Sequence, residues 1–419
     1  MKSNALFSLL VILILLSCLL VLLIPKQQTI FDPIGESSET VSDPSSDESD
    51  QSPPPVAPSV DPDTSADVVS SEDTSYIPDI SQTVSSEPEN SQDGSSGQTS
   101  SDTSSATATG QEEIINNVLI DKYNRAMEVF SYSSSSTSGK TYAKRMNALY
   151  SDLQTTKQGI KLYSMLVPKP CAYYIGETSY AAKQPCTEIA LNQIKDTLDS
   201  NIISVDVYNA LMPHTNEEIY YRTDFHWTQL GAYYGAEALA KAAGVSFDPI
   251  SEYSSETQQA YFLGALYKYT KNSTKLYNNR DNFTIYKNKN FVYGTDYTVT
   301  WHKYSNFNST FNHDIFYTVS SYTDCYMTYL AGDNNGIADI KSNKCSNGRK
   351  IVLIKNSYGN PVPSWLLSSF EEIWVMDIRY YKGNILDFVV EYDISDVCVV
   401  LDIHGALSTN KYLDTIRTQ

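Results

Sequence analysis

The sequence predicts an α/β domain: a three-layer sandwich of helices around a mostly parallel sheet. Three observations predict it. Residues 161–167, 203–207, 351–354, 373–376 and 397–401 are short apolar runs, and the last three are continuous, not alternating. That pattern belongs to strands buried on both faces. The segments between these runs carry helical spacing, 229–243 above all, so strands and helices alternate along the chain. Finally, everything before residue 112 has a different composition, which leaves about 300 residues for one domain or one domain with an insertion.

The N-terminal part divides in two. Residues 5–24 are apolar apart from Ser8, Ser17 and Cys18. Twenty such residues match a bilayer core of ~30 Å, and a cleaved signal peptide has a shorter apolar region. Residues 1–26 are therefore expected to be an uncleaved membrane signal anchor. Leu15-Leu16-Ser17-Cys18 resembles a lipoprotein box, but the apolar run continues past it to Ile24. Residues 27–111 are expected to be a disordered acidic linker rich in Ser, Thr and Pro. Of the formal net charge of −19, 17 charges fall between residues 27 and 110, where there is no Lys or Arg. The acidity is thus a property of the tether. No basic patch points to nucleic acid.

In the 112–419 domain, Ile114, Val118, Tyr123, Met127 and Val129 have near-helical spacing, which predicts a helix over 113–130. A serine-rich loop at 131–139 and a second helix over 142–158 follow. Strand 161–167 stops at Pro168, a helix covers 189–198, and 203–207 is the next strand. Residues 218–221 read as a strand leading to Asp224. Thr228 then caps a helix that ends near Gly244. Residues 246–322, rich in Tyr, Asn, Lys and Thr, break the rhythm and read as an inserted lobe. Exposed tyrosines there could contact sugars or simply pack. Strand 351–354, a turn over 355–359, a helix over 362–370, and strands 373–376 and 397–401 complete the domain. Cys171 with Cys186 and Cys325 with Cys345 are spaced like local bridges, and free thiols are the alternative. Cys398 reads as a core thiol.

Two motifs carry chemistry. In Thr223-Asp224-Phe225-His226-Trp227-Thr228, a carboxylate and an imidazole stand two residues apart. On an extended segment both side chains point the same way, so Asp224 can fix the tautomer of His226 and leave one nitrogen as a base. Phe225 then points away. A structural Asp–His bond or half of a metal site are the alternatives, and no third ligand is evident. In Lys355-Asn356-Ser357-Tyr358-Gly359-Asn360, Ser357 lies at a strand-to-helix junction, either as an exposed hydroxyl or as a plain turn cap. Gly332-Asp333-Asn334-Asn335-Gly336 is a glycine–asparagine turn, or a donor to an oxyanion through Asn334. No Gly-rich phosphate loop is present.

Together these pieces resemble the DHHW protein family, relatives of the alginate O-acetyltransferases. The resemblance lies in Tyr221-Arg222-Thr223-Asp224-Phe225-His226-Trp227-Thr228 with Gly231-Ala232-Tyr233-Tyr234. It continues in Ile354 to Asn360 and in Trp374 to Asn384. It implies a permuted SGNH-hydrolase-like fold and an acyltransferase or esterase at the cell surface. It implies Ser357 as nucleophile, His226 as base and Asp224 as its orienting acid, with Asn334 and Gly332 at the oxyanion. Arg379 and Tyr358 become candidate substrate contacts, with an Arg379–Asp377 pair as the alternative for Arg379. Phe225 replaces the first histidine of the family's tetrad, and Asn356 stands where relatives often have aspartate.

The expected activity is extracytoplasmic O-acetylation of a polysaccharide through an acetyl-serine. The expected partner is a multispanning membrane acyltransferase supplying acetyl, and neither cofactor nor metal is implied. A carbohydrate esterase with the same three residues, or an inert cell-wall-binding protein on a decayed hydrolase fold, are the competing expectations.

Overall fold

The computed structural model describes residues 110–408 and 410–418. The expected anchor and nearly all of the expected linker lie outside the described residues. Among the described residues no helix is long and apolar enough to cross a membrane.

The central feature is a mixed eight-stranded sheet. Its strands are β4 (Lys161–Val167), β5 (Ile203–Val205), β8 (Tyr297–Lys303), β9 (Asn306–Asn312), β10 (Ile337–Ser342), β11 (Lys350–Lys355), β12 (Glu372–Asp377) and β13 (Asp396–Asp402). Their order is β5-β4-β13-β11-β12-β10-β8-β9. The five strands from β5 to β12 run parallel, and β10, β8 and β9 add antiparallel ladders. The expectation of a mostly parallel sheet thus holds for one side only.

Side chains alternate between the two faces along each strand. Tyr163, Met165, Leu353, Val375 and Val400 pack into one core with Trp227, Ala236 and Leu239 around the helix Gln229–Ala243. Leu162, Leu166, Val352, Met376 and Val399 pack into a second core with the helices Ser138–Thr156, Ile385–Glu391 and Tyr412–Thr418. Burial on both faces is why these strands read as unbroken apolar runs.

Several expectations are corrected. Residues 113–130 form three short antiparallel strands, β1 (Glu113–Ile115), β2 (Val118–Ile120) and β3 (Ala126–Glu128). Asn116 and Asn117 take positive φ angles of 50° and 62°, the chemistry of a tight hairpin turn. Of the residues with near-helical spacing, Ile114 pairs with Leu119, Val118 with Ile115 and Glu128, and Met127 with Leu119, so the spacing does not mark one shared helical face. Residues 218–221 contribute only an isolated bridge between Tyr220 and Trp227. After Ser357 the expected helix is one 3-10 turn, Val362–Trp365. Within 246–322, β6 (Tyr253–Phe262) and β7 (Asp281–Asn288) pair as a separate ribbon, whereas β8 and β9 extend the main sheet. Cys171, Cys186, Cys325, Cys345 and Cys398 are all free, buried thiols.

Candidate active site

Ser357 opens the 3-10 turn Ser357–Gly359 directly after the carboxyl end of β11. β11 lies between β12 and β13 in parallel register, so three strand ends converge there. Asn356 anchors the turn. Its N–H donates to Val400 O at 3.2 Å, its Oδ1 accepts from Tyr358 N at 3.3 Å, and its Nδ2 donates to Asp402 Oδ2 at 2.7 Å. Asn356 therefore supplies the amide donor that an aspartate at this position would lack, with Asp402 as its acceptor. A methyl group at Gly359 would fall 2.4 Å from Lys355 Cβ, so the turn closes only around glycine.

His226 reaches the serine from another part of the chain. Its Nε2 lies 2.8 Å from Ser357 Oγ, and its Nδ1–H donates to Asp224 Oδ1 at 2.6 Å. Because a carboxylate only accepts, Nδ1 carries the proton and Nε2 is free to receive one from the serine. The pair does not meet on an extended strand. Asp224 Oδ1 also accepts the His226 backbone N–H at 2.9 Å, so the carboxylate and imidazole are joined by an Asx turn.

The far oxygen of Asp224 accepts Ala265 N–H at 2.7 Å. Gly264 makes this approach possible, since a methyl group there would sit 2.2 Å from Asp224 Oδ2. Burial opposes ionisation of Asp224, but His226 and the donated hydrogen bonds outweigh it and hold the pKa below the ordinary value. Asp281 fixes the preceding residues. It accepts from Arg222 N at 2.7 Å, from Thr223 N at 2.9 Å and from Thr223 Oγ1 at 2.5 Å. Burial pushes its carboxyl up to about 6 despite those bonds.

Aromatic rings hold the imidazole in place. Tyr326 stacks on it at 3.9 Å and 12°, and Tyr358 lies tilted at 4.9 Å. Phe225 packs against it at 4.3 Å and does not point away, because the Asx turn replaces the extended geometry. His404 lies nearby but does not compete as a base. Burial, helped by Lys169, pushes its pKa down to about 3. Lys169 forms an ion pair with Glu128, sits 3.7 Å from Asp402, and lies over the Phe225 ring.

The remaining predicted residues take other places. Tyr358 is buried; its hydroxyl donates to Phe225 O and its carbonyl accepts Trp227 Nε1–H at 2.8 Å. It braces the His226 segment against the Ser357 turn and offers no surface contact. Arg379 forms the expected fork on Asp377, at 2.9 and 2.7 Å, and also reaches Asp333 at 2.7 Å. Lys355 completes this cluster, 3.1 Å from Asp377 and 3.4 Å from Asp333. Burial is again outweighed for Asp333: Lys355 and Arg379 hold its carboxyl far below the usual range. With Asn360 Nδ2 donating to it at 3.0 Å, Asp333 ties the Gly332–Asn334 loop to the serine turn. Gly332 N–H is already engaged with Tyr329 O at 3.1 Å, so this amide is not a free oxyanion donor. Asn334 is exposed beside Asp333.

The arrangement can move a proton from Ser357 to His226 and hold the resulting imidazolium against Asp224. Sequence reasoning missed Gly264, Ala265, Asp281 and Tyr326. Each acts from more than 35 positions away along the chain, and no local pattern marks it. Among the described residues no group of three or more His, Cys, Asp or Glu could hold a metal ion.

Comparison with known proteins identifies the family and the fold. The DHHW protein family model matches residues 64–376. A DHHW family protein from Eubacterium siraeum is 31% identical; the match covers 74% of this chain and 99% of that one, with a TM-score of 0.65. Bacillus cereus PatB1 carrying a sulfonyl adduct is 17% identical over 71% of this chain and 96% of its own, with a TM-score of 0.57. A second structure of Bacillus cereus PatB1 matches at 17% identity over 70% of this chain and 96% of its own, with a TM-score of 0.53. At such identity PatB1 shares the fold. No curated protein matches the sequence.

Proposed function

We propose, from the premise that this chain belongs to the DHHW protein family, that it is a serine-dependent O-acetyltransferase acting on a polysaccharide outside the cytoplasm. One observation carries the reading: Ser357 Oγ, His226 and Asp224 are joined in series at 2.8 and 2.6 Å. In the first step Ser357 Oγ–H gives its proton to His226 Nε2 and the oxygen attacks the acetyl carbonyl of a donor. The donor's leaving group takes that proton and departs, leaving acetyl-serine. A sugar hydroxyl then loses its proton to the same nitrogen, attacks the acetyl carbon and expels Ser357 Oγ, which recovers the proton. General-base assistance of this kind contributes ~10²–10⁴-fold. Ser357 N–H, at the head of its turn, has no acceptor within that turn and is one donor for the transient oxyanion.

The same reading takes the domain as a permuted SGNH-hydrolase-like catalytic unit over 112–419. The apolar residues 5–24 hold it at a membrane, and the acidic stretch 27–111 spaces it from the surface. A multispanning membrane acyltransferase would supply the acetyl group. The sulfonyl adduct described for PatB1 is the kind of product an activated hydroxyl forms with a sulfonyl electrophile. The test is mass spectrometry after brief exposure to an activated acetyl ester, with and without an oligosaccharide acceptor. The expected result is an adduct of about 42 Da on Ser357, absent in His226→Ala and discharged onto the sugar. Discharge only to free acetate would make the protein an esterase. Absence of any adduct, together with no sulfonyl fluoride labelling, would end the enzyme reading.

A further inference from the structure

Beyond the Ser357 centre, the described surface holds a cleft of about 390 Å³ lined by Arg222, Ala260, Tyr261, Asn278, Asn279 and Arg280. Its size suits a small ligand or one or two sugar units. Its chemistry is one-sided. Two guanidinium groups line it and no carboxylate does. Among the described residues neither guanidinium is ion-paired: Arg222 Nη1 donates to Tyr123 O at 3.0 Å, and Arg280 lies over the rings of Tyr277 and Tyr261 at 4.3 and 5.1 Å. The nearby Asp281 turns its oxygens to Thr223 and to the Arg222 backbone.

A guanidinium stacked on tyrosine is held flat, with its N–H edge directed outward for a carboxylate or phosphate. The rings themselves are open, Tyr261 being 60% and Tyr277 45% exposed. Exposed aromatic faces beside hydrogen-bonding asparagines are the equipment for sugar rings.

Two further facts connect the cleft to the reaction centre. From Ala265 to Arg280 the chain carries Lys268, Lys271, Lys275 and Arg280 and no acidic residue of its own; Lys268 pairs with Asp324 and Lys275 with Glu113, and among the described residues Lys271 and Arg280 form no ion pair. The same stretch makes an aromatic track. Tyr277 meets Tyr267 at 6.4 Å, Tyr267 shares the short helix Ala265–Tyr269 with Tyr269, and Tyr269 stacks near Phe225 at 6.5 Å. Phe225 touches His226.

We infer that the Arg222–Arg280 cleft is an acceptor subsite for an acidic polysaccharide, whose carboxylate or phosphate groups engage the stacked Arg280 while the chain runs along the tyrosines toward Ser357. This rests on the reading of the protein as an enzyme of glycans and names the class of glycan. It does not depend on the covalent step.

The test uses the full chain, with Ser357→Ala to prevent turnover, titrated calorimetrically with three probes. These are oligogalacturonate, polyglycerol phosphate and an uncharged chito-oligosaccharide. Binding of oligogalacturonate identifies carboxylate-bearing chains, and binding of polyglycerol phosphate identifies phosphate-bearing ones. The acidic probe should bind more tightly than the neutral one and weaken as salt rises. Arg280→Ala should weaken it about tenfold or more, while hydrolysis of a small chromogenic acetate by the Ser357 form stays unchanged. Equal binding of all three probes, binding of none, or no effect of Arg280→Ala would overturn the inference. Its failure is separable from that of the acyl-transfer reading. Arg280-dependent binding without an acetyl-serine leaves the subsite standing, and acetylation of a neutral glycan independent of Arg280 removes it alone.

Discussion

Replacing Gly264 by alanine tests how the acid beside His226 is held. Gly264 has φ −83° and ψ −166°, a conformation open to any residue, so the substitution strains no backbone angle. The conflict is purely steric. The new methyl carbon would stand 2.2 Å from both Asp224 Cβ and Asp224 Oδ2. Ordinary contact would require the carboxylate or the backbone to withdraw by roughly 1 Å. The carboxylate cannot withdraw freely, because Ala265 N–H and both N–H groups of His226 bind it. Overpacking of this kind costs about 1–3 kcal/mol. For a domain of about 300 residues, with unfolding entropy near ~0.6 kcal/mol/K, that is a fall in melting temperature of about 2–5 °C. A shift of ~1 Å in the group that aims His226 should lower turnover of a chromogenic acetate about 10²-fold. Turnover at the wild-type level would refute the reasoning, whatever the melting temperature, because Asp224 would then not depend on this backbone for its position.

Ser357→Ala should abolish acetyl labelling and lower ester turnover by about 10⁴-fold or more without lowering the melting temperature, measured in parallel by mass spectrometry and calorimetry. Lys355→Met leaves Asp333 and Asp377 with Arg379 alone, so a buried charge is uncompensated. Urea unfolding should show a loss of about 3–5 kcal/mol. Asp281 gives a pH signature of opposite sign to Asp224. Because burial raises its carboxyl to about 6, its contribution to stability is present below the unfolded value near 3.8 and is lost as pH rises through 6. Between pH 4 and 7 the wild type should therefore lose about 2 kcal/mol more than Asp281→Asn, and equal slopes would contradict it. Asp224, held low, works the other way: its contribution is complete above the ordinary carboxylate value and is lost as pH falls through the folded one.

Much of the site was legible because its parts are local. Thr228 caps its helix by accepting from Gly231 N–H at 3.1 Å, and Gly244 ends that helix at φ 69°, both as the residue types demand. The strand-to-turn step at Ser357 and the fork of Arg379 on Asp377 follow from neighbours within two or three positions. The three strands at 113–128 were misread although the signal was present. Two consecutive asparagines make a hairpin turn, but five apolar residues at near-helical spacing hid it.

By itself the sequence determined which atoms are available for chemistry: one serine at a strand end, one histidine with its carboxylate, and strands apolar enough to be buried on both faces. Tertiary structure alone decided that these atoms meet. Ser357 and His226 are 131 positions apart and lie within hydrogen-bonding reach only because the turn after β11 and the segment before the helix Gln229–Ala243 pack together. The space left by Gly264, the grip of Asp281 and the ring of Tyr326 on the imidazole depend on the same packing. The physical reason is range. Caps, turns and alternation are set by neighbours along the chain, whereas the aim of a catalytic hydrogen bond is set by whatever the fold brings against it.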